Sequence, residues 1–382
     1  MPRALQRRGA LELLLTDVWV TPKPWSGLGT KAVAGRFHDG LEHNSVVASN
    51  VGAIRFELSA RMRHRSGWPL IMARNGWFQE FVLSHLKQNV RNRNGHSVTI
   101  FAYSYAADRI FNFAKQQGWR TVLGQIDPGP AGEELLARLN QDSSTNVETR
   151  PAPASYWDRW QTECELADRI VVNSEWSRDA LINHGVDANK IRIIPLAFEH
   201  SADSVSFNRN YPSQFTRDRP MRVLFLGQVS LRKGAAALFE AIRLLRNEPI
   251  EFWFVGPVQI RVPDELKGAS QVGWIGRVPR SRVADFYRRA DVFLFPTLSD
   301  GFGLTQLEAQ SWKLPVIASQ FCGAVVQDTI NGLVLSEISG RKIADALIGL
   351  LRFPEQLQKM SSQSGVREEF SLASLASRLI NL

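Results

Sequence analysis

Along nearly the whole chain, short apolar runs alternate with segments of helical periodicity. No other feature narrows the fold as much, because this alternation is the signature of a parallel α/β sheet with helical crossovers. In the first half the pattern predicts strands at 11–18, 45–50, 69–74, 97–103, 121–126, 169–174 and 191–196. In the second half it predicts them at 221–227, 251–256, 272–276, 291–296, 315–319 and 332–335. Helical patterns fill the intervals. In GAAALFEAIRLLRN, for example, Leu238, Ala241, Ile242 and Leu245 recur on one face.

A chain of 382 residues, 44% of them hydrophobic, can bury more than one core, so two domains are expected. The best boundary is the polar stretch 200–220, which lacks periodicity and carries Pro212 and Pro220. This gives a first α/β unit over 1–200, an interdomain linker over 201–220 and a second unit over 221–370. The last segment, 371–382, reads as a helix that packs back across the first unit. A second irregular stretch, QDSSTNVETRPAPAS at 141–155, is expected to be a mobile surface loop.

Apolar stretches reach only about half a dozen residues, too short to span a bilayer. The opening MPRALQRRGALELLLTDVWV has a basic leader, but Glu12 and Asp17 interrupt its apolar part; it reads as a first strand and not a signal peptide. Cys164 and Cys322 lack metal-site spacing and point to a reducing, cytoplasmic setting. The net charge of +9 favours anionic partners such as nucleotides, phosphates or acidic lipid surfaces. Nucleic acid is disfavoured, since no zinc spacing, basic zipper or RNA-recognition motif accompanies the charge. The densest basic cluster, RMRHR, sets Arg61, Arg63 and Arg65 together. It reads as a solvated face or, if the acceptor is lipid-linked, as a peripheral contact with an anionic membrane at its inner face.

In open parallel sheets, ligands bind beyond the carboxyl ends of the strands, and two stretches of the second half fall there. GQVSLRKG begins at Gly227 and puts Arg232 and Lys233 just before a helix starting at Gly234. Two cations at a helix N-terminus make an anion site, with phosphate the natural ligand, although solvated surface is the plainer reading. The other stretch, FPTLSDGFGLTQLEAQ at 295–310, passes from a strand through Asp300, Gly301, Phe302 and Gly303 into a helix whose first N–H groups are uncovered. Glu308 lies about one turn inside and leans back toward the glycine turn. A carboxylate there can accept hydrogen bonds from the paired hydroxyls of a ribose or sugar; a helix-dipole partner or cap is the alternative.

Those two stretches, with VGWIGRVPRSRVADFYRRADVF before the second and CGAVVQDTINGLVL after it, resemble the nucleotide-sugar domain of retaining GT-B glycosyltransferases. The family is glycosyltransferase family 4, the group 1 transferases, and the resemblance covers most of residues 160–382. It implies two facing Rossmann-like domains with parallel sheets and an interdomain cleft. It further implies that Arg232 and Lys233 hold the donor diphosphate and Glu308 the ribose hydroxyls. Backbone groups of Phe302, Gly303 and Leu304 would face the transferred sugar and diphosphate, and the loop of Gly276, Arg277 and Val278 would border the base. In the first half, Gly27 and Gly29 of WSGLGT stand where the family carries a glycine pair against the diphosphate, and Ser174 is placed to cap a helix.

The sequence departs from the family pattern at two carboxylates. The family's Glu-x7-Glu element survives as Asp300 to Glu308, and Asp127 stands in the slot that many members give to a histidine near the reacting sugar carbon. No Asp-x-Asp pair occurs in the chain, so Arg232 and Lys233 would offset the leaving-group charge without a metal, and no cofactor is implied. The implied activity is a metal-independent, retaining transfer of a sugar from a nucleotide diphosphate sugar to a glycan, lipid-linked or small-molecule acceptor. Two alternatives keep the fold: a nucleotide-sugar epimerase or hydrolase, and a non-catalytic partner protein.

Overall fold

The computed structural model describes residues 1–20, 37–41, 45–89, 98–142 and 150–382. Its largest sheet has six parallel strands: β7 (Met221–Leu226), β8 (Ile250–Val255), β9 (Val272–Gly276), β10 (Val292–Phe295), β11 (Val316–Ser319) and β12 (Gly332–Leu335). The strand order is β12-β11-β10-β7-β8-β9. This is the doubly wound arrangement, with the direction of winding reversing between β7 and β10. Central strands of such a sheet are covered on both faces and read as continuous apolar runs. All four residues of β10 and all four of β11 are buried. Helices Ala235–Leu244 and Gly340–Arg352 close one face through Leu238, Ile242, Ile343 and Leu347.

The first domain holds a four-stranded parallel sheet in sequential order: β3 (Thr99–Tyr103), β4 (Arg120–Gly124), β5 (Arg169–Val172) and β6 (Ile191–Ile193). Before it, β1 (Leu14–Thr16) and β2 (Val46–Ala48) form a separate parallel pair. A cavity of about 480 Å³ lies between β1 and β3, lined by apolar side chains that include Leu13, Leu15, Phe78, Val82 and Ile100.

Three expectations change. The run at 69–74 is not a strand but part of the helix Gly67–Asn89. A six-residue apolar window fits either state; what decides is its continuation, where Gln79, Val82, Leu83 and Leu86 are buried at three- and four-residue intervals. The first strand shortens to three residues, and part of its basic leader, Pro2–Gln6, is helical. Within the stretch expected to link the domains, residues from 207 onward are pinned to the second domain. Arg209 is buried and donates to the carbonyls of Tyr287 (2.7 Å), Trp312 (3.0 Å), Arg288 (3.2 Å) and Ala290. It thereby satisfies the carbonyl ends of helices Arg280–Arg289 and Leu304–Ser311. Most of the irregular stretch at 141–155 lies outside the described residues, and a helix runs from Ala154 to Leu166.

The final helix, Leu372–Ile380, packs Leu372, Leu375, Ala376 and Leu379 against Ala4, Val122, Val171 and Ile194 of the first domain. The domains also meet at the carboxyl ends of their strands. A Cβ on Gly301 would overlap the Ile126 carbonyl oxygen, so only glycine allows this backbone approach. Beside it, Trp176 donates its indole N–H to the Ser299 hydroxyl at 3.2 Å and stands edge-on to Phe321, with ring centroids 5.0 Å apart. Among the described residues, no helix is long and apolar enough to cross a membrane.

Candidate functional site

The loops after β7 and β10 leave the sheet side by side at the winding reversal, and they are stitched together by hydrogen bonds. Leu298 N–H donates to the Arg232 carbonyl at 2.8 Å, and the Arg232 guanidinium donates to the Ser299 carbonyl at 2.9 Å. The join needs Gly234, which has a φ of 76° and whose absent Cβ would overlap the Pro296 carbonyl oxygen. This contact places Arg232 and Lys233 beside Asp300 although 67 residues separate each bonded pair. The Lys233 ammonium is ion-paired with the Asp300 carboxylate and lies 5.0 Å from the centre of the Phe295 ring. Burial pulls the Lys233 pKa below its ordinary value, while the Asp300 charge pulls it back up.

The helix Leu304–Ser311 begins beside this pair. Gly303 is its N-cap, with a φ of 84°, and no side chain caps the helix. Among the described residues the N–H groups of Gly303 and Leu304 find no acceptor, so there the positive end of the helix is open. Phe302 contributes differently. Its ring is buried against Leu307, Val325 and Phe370, and its carbonyl already accepts from Gly323 N–H (2.9 Å) and the Gln306 amide (3.0 Å). The Phe302 N–H donates to the Asp300 carboxylate at 3.4 Å, so of the three backbones assigned to a ligand those of Gly303 and Leu304 have donors to spare.

Glu308 is half-buried on the same helix, and its carboxylate accepts a 2.8 Å hydrogen bond from the Tyr287 hydroxyl. Burial, and then the Glu308 charge, hold the Tyr287 phenol well above its ordinary pKa, so it stays the donor. Tyr287 was not legible as a site residue: it belongs to another helix, and no spacing relates it to Glu308.

Across the domain contact stands Asp127, just past β4. One of its carboxylate oxygens accepts three hydrogen bonds: from the Tyr105 hydroxyl (2.5 Å), the Gln125 amide (2.8 Å) and Gly129 N–H (2.9 Å). Asp127 thus bonds its own turn and also Tyr105, from the loop after β3. Tyr105 adopts a left-handed φ of 77°, which is costly for an aromatic residue and is held from both ends. Its hydroxyl goes to Asp127, and its N–H donates to the Glu163 carboxylate at 2.6 Å. Glu163 is fully buried, accepts also from the N–H groups of Ala107 and Asp108, and has its pKa pushed up to about 7 by burial.

The remaining sequence candidates are more dispersed. Gly227, at the end of β7, packs its carbonyl where a Cβ on Gly256 would sit, so two loops share one narrow path. Arg277 is exposed beyond β9 and Val278 is partly buried against the core. Neither shares a hydrogen bond with the Lys233–Asp300 cluster. Gly27 and Gly29 lie outside the described residues. Ser174 caps the helix Glu175–Asn183, accepting from Ser177 N–H at 3.1 Å. Both cysteines are free and buried, with thiol pKa values pushed up to about 12 chiefly by burial.

Residues 220–352 match the family model described as Glycosyl transferases group 1. The chain is 30% identical over 210 residues to a D-inositol 3-phosphate glycosyltransferase of Xylanimonas cellulosilytica, a match covering 48% of this chain and 49% of the relative. It spans about half the length of the first curated relatives that it matches. Among solved structures, sucrose-phosphate synthase of Thermosynechococcus elongatus aligns with a TM-score of 0.58 and 18% identity, over 81% of this chain and 77% of that one. Anabaena HepE in complex with UDP aligns with a TM-score of 0.56 and 15% identity, over 78% and 80%. The chain has the GT-B fold, and within it residues 220–352 carry the match to the group 1 glycosyl transferases.

Proposed function

We propose that this protein transfers a sugar from a nucleotide diphosphate sugar to a glycan, lipid-linked or small-molecule acceptor, with retention at the anomeric carbon and without a metal. One observation carries the reading. At the winding reversal of the second sheet, two cations and an uncapped helix N-terminus converge opposite the Asp127 carboxylate of the first domain. Such a point combines fixed positive charge for a diphosphate with an anionic group facing the place of a sugar. Retention rests on the likeness to the group 1 transferases.

In this reading, Arg232, Lys233 and the Gly303 and Leu304 N–H groups take the diphosphate. They offset the charge that grows on it as the bond between sugar and diphosphate oxygen breaks. Diphosphate and Asp300 compete for Lys233, so donor binding draws the ammonium away from its present partner. Asp300 is then free to accept from a sugar hydroxyl. Glu308 accepts from the ribose hydroxyls while Tyr287 fixes its orientation. Asp127 stabilises positive charge developing on the sugar ring as the acceptor oxygen forms the new bond and its proton passes to the departing diphosphate oxygen. The likeness to HepE with bound UDP supports uracil as the base.

The reading is tested by thermal denaturation with nucleoside diphosphates and their sugars, since a ligand of the native state raises its stability by mass action. A rise with UDP and UDP-sugars that Lys233→Ala abolishes is the expected result. If no nucleoside diphosphate or nucleotide sugar shifts the transition, the reading fails. Donor consumed at the same rate with and without acceptors would replace transferase by hydrolase.

A further inference from the structure

We infer that the solvent face of the helix Asn50–Met62 docks on an anionic lipid bilayer. The helix has two apolar faces where a surface helix needs one. Ala53 and Ala60 are buried, and Phe56 stacks on Trp77 with ring centroids 5.5 Å apart, so one face belongs to the first domain. Val51, Ile54, Leu58 and Met62 are 62%, 61%, 53% and 75% exposed, so the domain's own packing leaves them in water. At 100° per residue these four fall within an arc of about 80°, roughly opposite the buried alanines. Scattered exposed apolar residues are ordinary, but an aligned stripe of four marks a contact surface.

The charges around the stripe identify the partner. Arg55 and Arg61 fall about 20° outside its two edges, and Arg63 and Arg65 follow at the helix end; all four are exposed. No ion pair involving any of them is formed among the described residues. Glu57, the only acid on the helix, is bonded to Arg74 at 2.8 and 2.9 Å. Three residues before Arg74, and so on the same side of the next helix, Ile71 is 37% exposed. A symmetric contact with a second copy would oppose arginines to arginines. A nucleic acid would use the arginines and leave the stripe in water. An anionic bilayer satisfies both features: the stripe enters the acyl boundary and the arginines lie at the headgroups.

This inference is independent of the donor reading, and its test needs no turnover. The full chain is co-sedimented with vesicles of phosphatidylcholine alone and of phosphatidylcholine mixed with phosphatidylglycerol. Binding to the anionic vesicles and not the neutral ones is expected. Replacing Ile54, Leu58 and Met62 together by Ser should abolish it. Replacing Arg55, Arg61, Arg63 and Arg65 together by Gln should weaken it by more than about a hundredfold, since each basic residue near such a surface contributes about fivefold. These side chains are exposed, and unchanged thermal transitions confirm that the variants fold. Absence of binding to anionic vesicles, or equal binding by both variants and the unaltered chain, overturns the inference. So does a dimer in solution that the serine variant dissolves, or a nucleic-acid complex that it retains while vesicles are ignored.

Discussion

Two carboxylates face the domain contact from opposite sides, and their surroundings differ in kind. Asp300 is held by a cation, Lys233, in an ion pair between two loops of one domain. Asp127 is held by neutral donors only: a phenol, an amide and a backbone N–H. An ion pair can be exchanged for a better one, so in the proposed function an incoming diphosphate takes Lys233 and releases Asp300. Neutral donors fix the Asp127 oxygen without cancelling its charge, which leaves a full negative charge in a constant place. The first arrangement suits a group that changes partners as substrate binds. The second suits one that must meet developing positive charge without rearrangement.

The largest effect that would break this comparison is on turnover through Asp127. Asp127→Asn removes the charge and keeps an oxygen for Tyr105, Gln125 and Gly129. Turnover should fall by about a hundredfold or more, the scale of a lost preorganised electrostatic contact, with donor affinity and folding near normal. Steady-state kinetics with calorimetric titration of the donor provide the check; near-full turnover would reduce Asp127 to a turn residue.

Next in size is the Lys233–Asp300 pair. Lys233→Ala should lower turnover and nucleoside diphosphate affinity by at least about tenfold, and stability by about 1–3 kcal/mol, because it strands a largely buried carboxylate. Asp300→Ala should cost turnover of the intact donor while sparing the nucleoside diphosphate, whose Lys233 contact no longer has a competitor. If the pair is an exchange device, the double variant loses less stability than the two single losses added. Additive losses would mean the two side chains act separately.

How much of this was legible in the sequence follows from how local each signal is. The second sheet announces itself because its strands are buried on both faces and read as continuous apolar runs; β10 and β11 are examples. Arg232, Lys233, Asp300 and Glu308 stand beside strand ends and a glycine turn, where local sequence is informative. Their pairing was not legible, since it depends on which strands are neighbours: β7 lies against β10, leaving β8 and β9 between neither. Tyr287, Tyr105, Glu163 and Arg209 were missed for the same reason, each acting on a residue far away in sequence. Gln125 alone had a local cue, two residues from Asp127 at the same strand end. The stretch 69–74 was misread because its apolar residues are adjacent, and adjacency carries no period.

A smaller effect separates the proposed ribose contact from the proposed diphosphate contact. Glu308→Gln keeps shape and an oxygen acceptor for Tyr287 but loses the charge that strengthens hydrogen bonds from ribose hydroxyls. Nucleoside diphosphate affinity should weaken about tenfold, while inorganic pyrophosphate, which has no ribose, should bind as before. Tyr287→Phe should weaken the nucleoside diphosphate severalfold less than that, because it only frees the carboxylate to turn. Equal losses for pyrophosphate and nucleoside diphosphate in Glu308→Gln would place Glu308 on the diphosphate instead.

The smallest effect on the site is the most specific to the first domain, because it concerns the carboxylate beneath Asp127's partner. Glu163 grips the N–H groups of Tyr105, Ala107 and Asp108, and its folded-state pKa is about 7 because burial disfavours its charge. In the unfolded chain it titrates near the ordinary glutamate value of about 4.3. Between those values the folded protein binds a proton that the unfolded chain has lost. Its contribution to stability is therefore complete below the unfolded pKa, declines as pH rises through about 7, and is constant beyond. Glu163→Gln cannot ionise, so the difference in unfolding free energy between the unaltered chain and this variant should shrink steadily over that window. Denaturant unfolding at several pH values measures it, and nucleoside diphosphate affinity, which belongs to the other domain, should not change. A stability difference that stays flat with pH would show that in the folded protein the three N–H groups offset burial and leave Glu163 as ready to ionise as in the unfolded chain, so that the loop under Asp127 is charged.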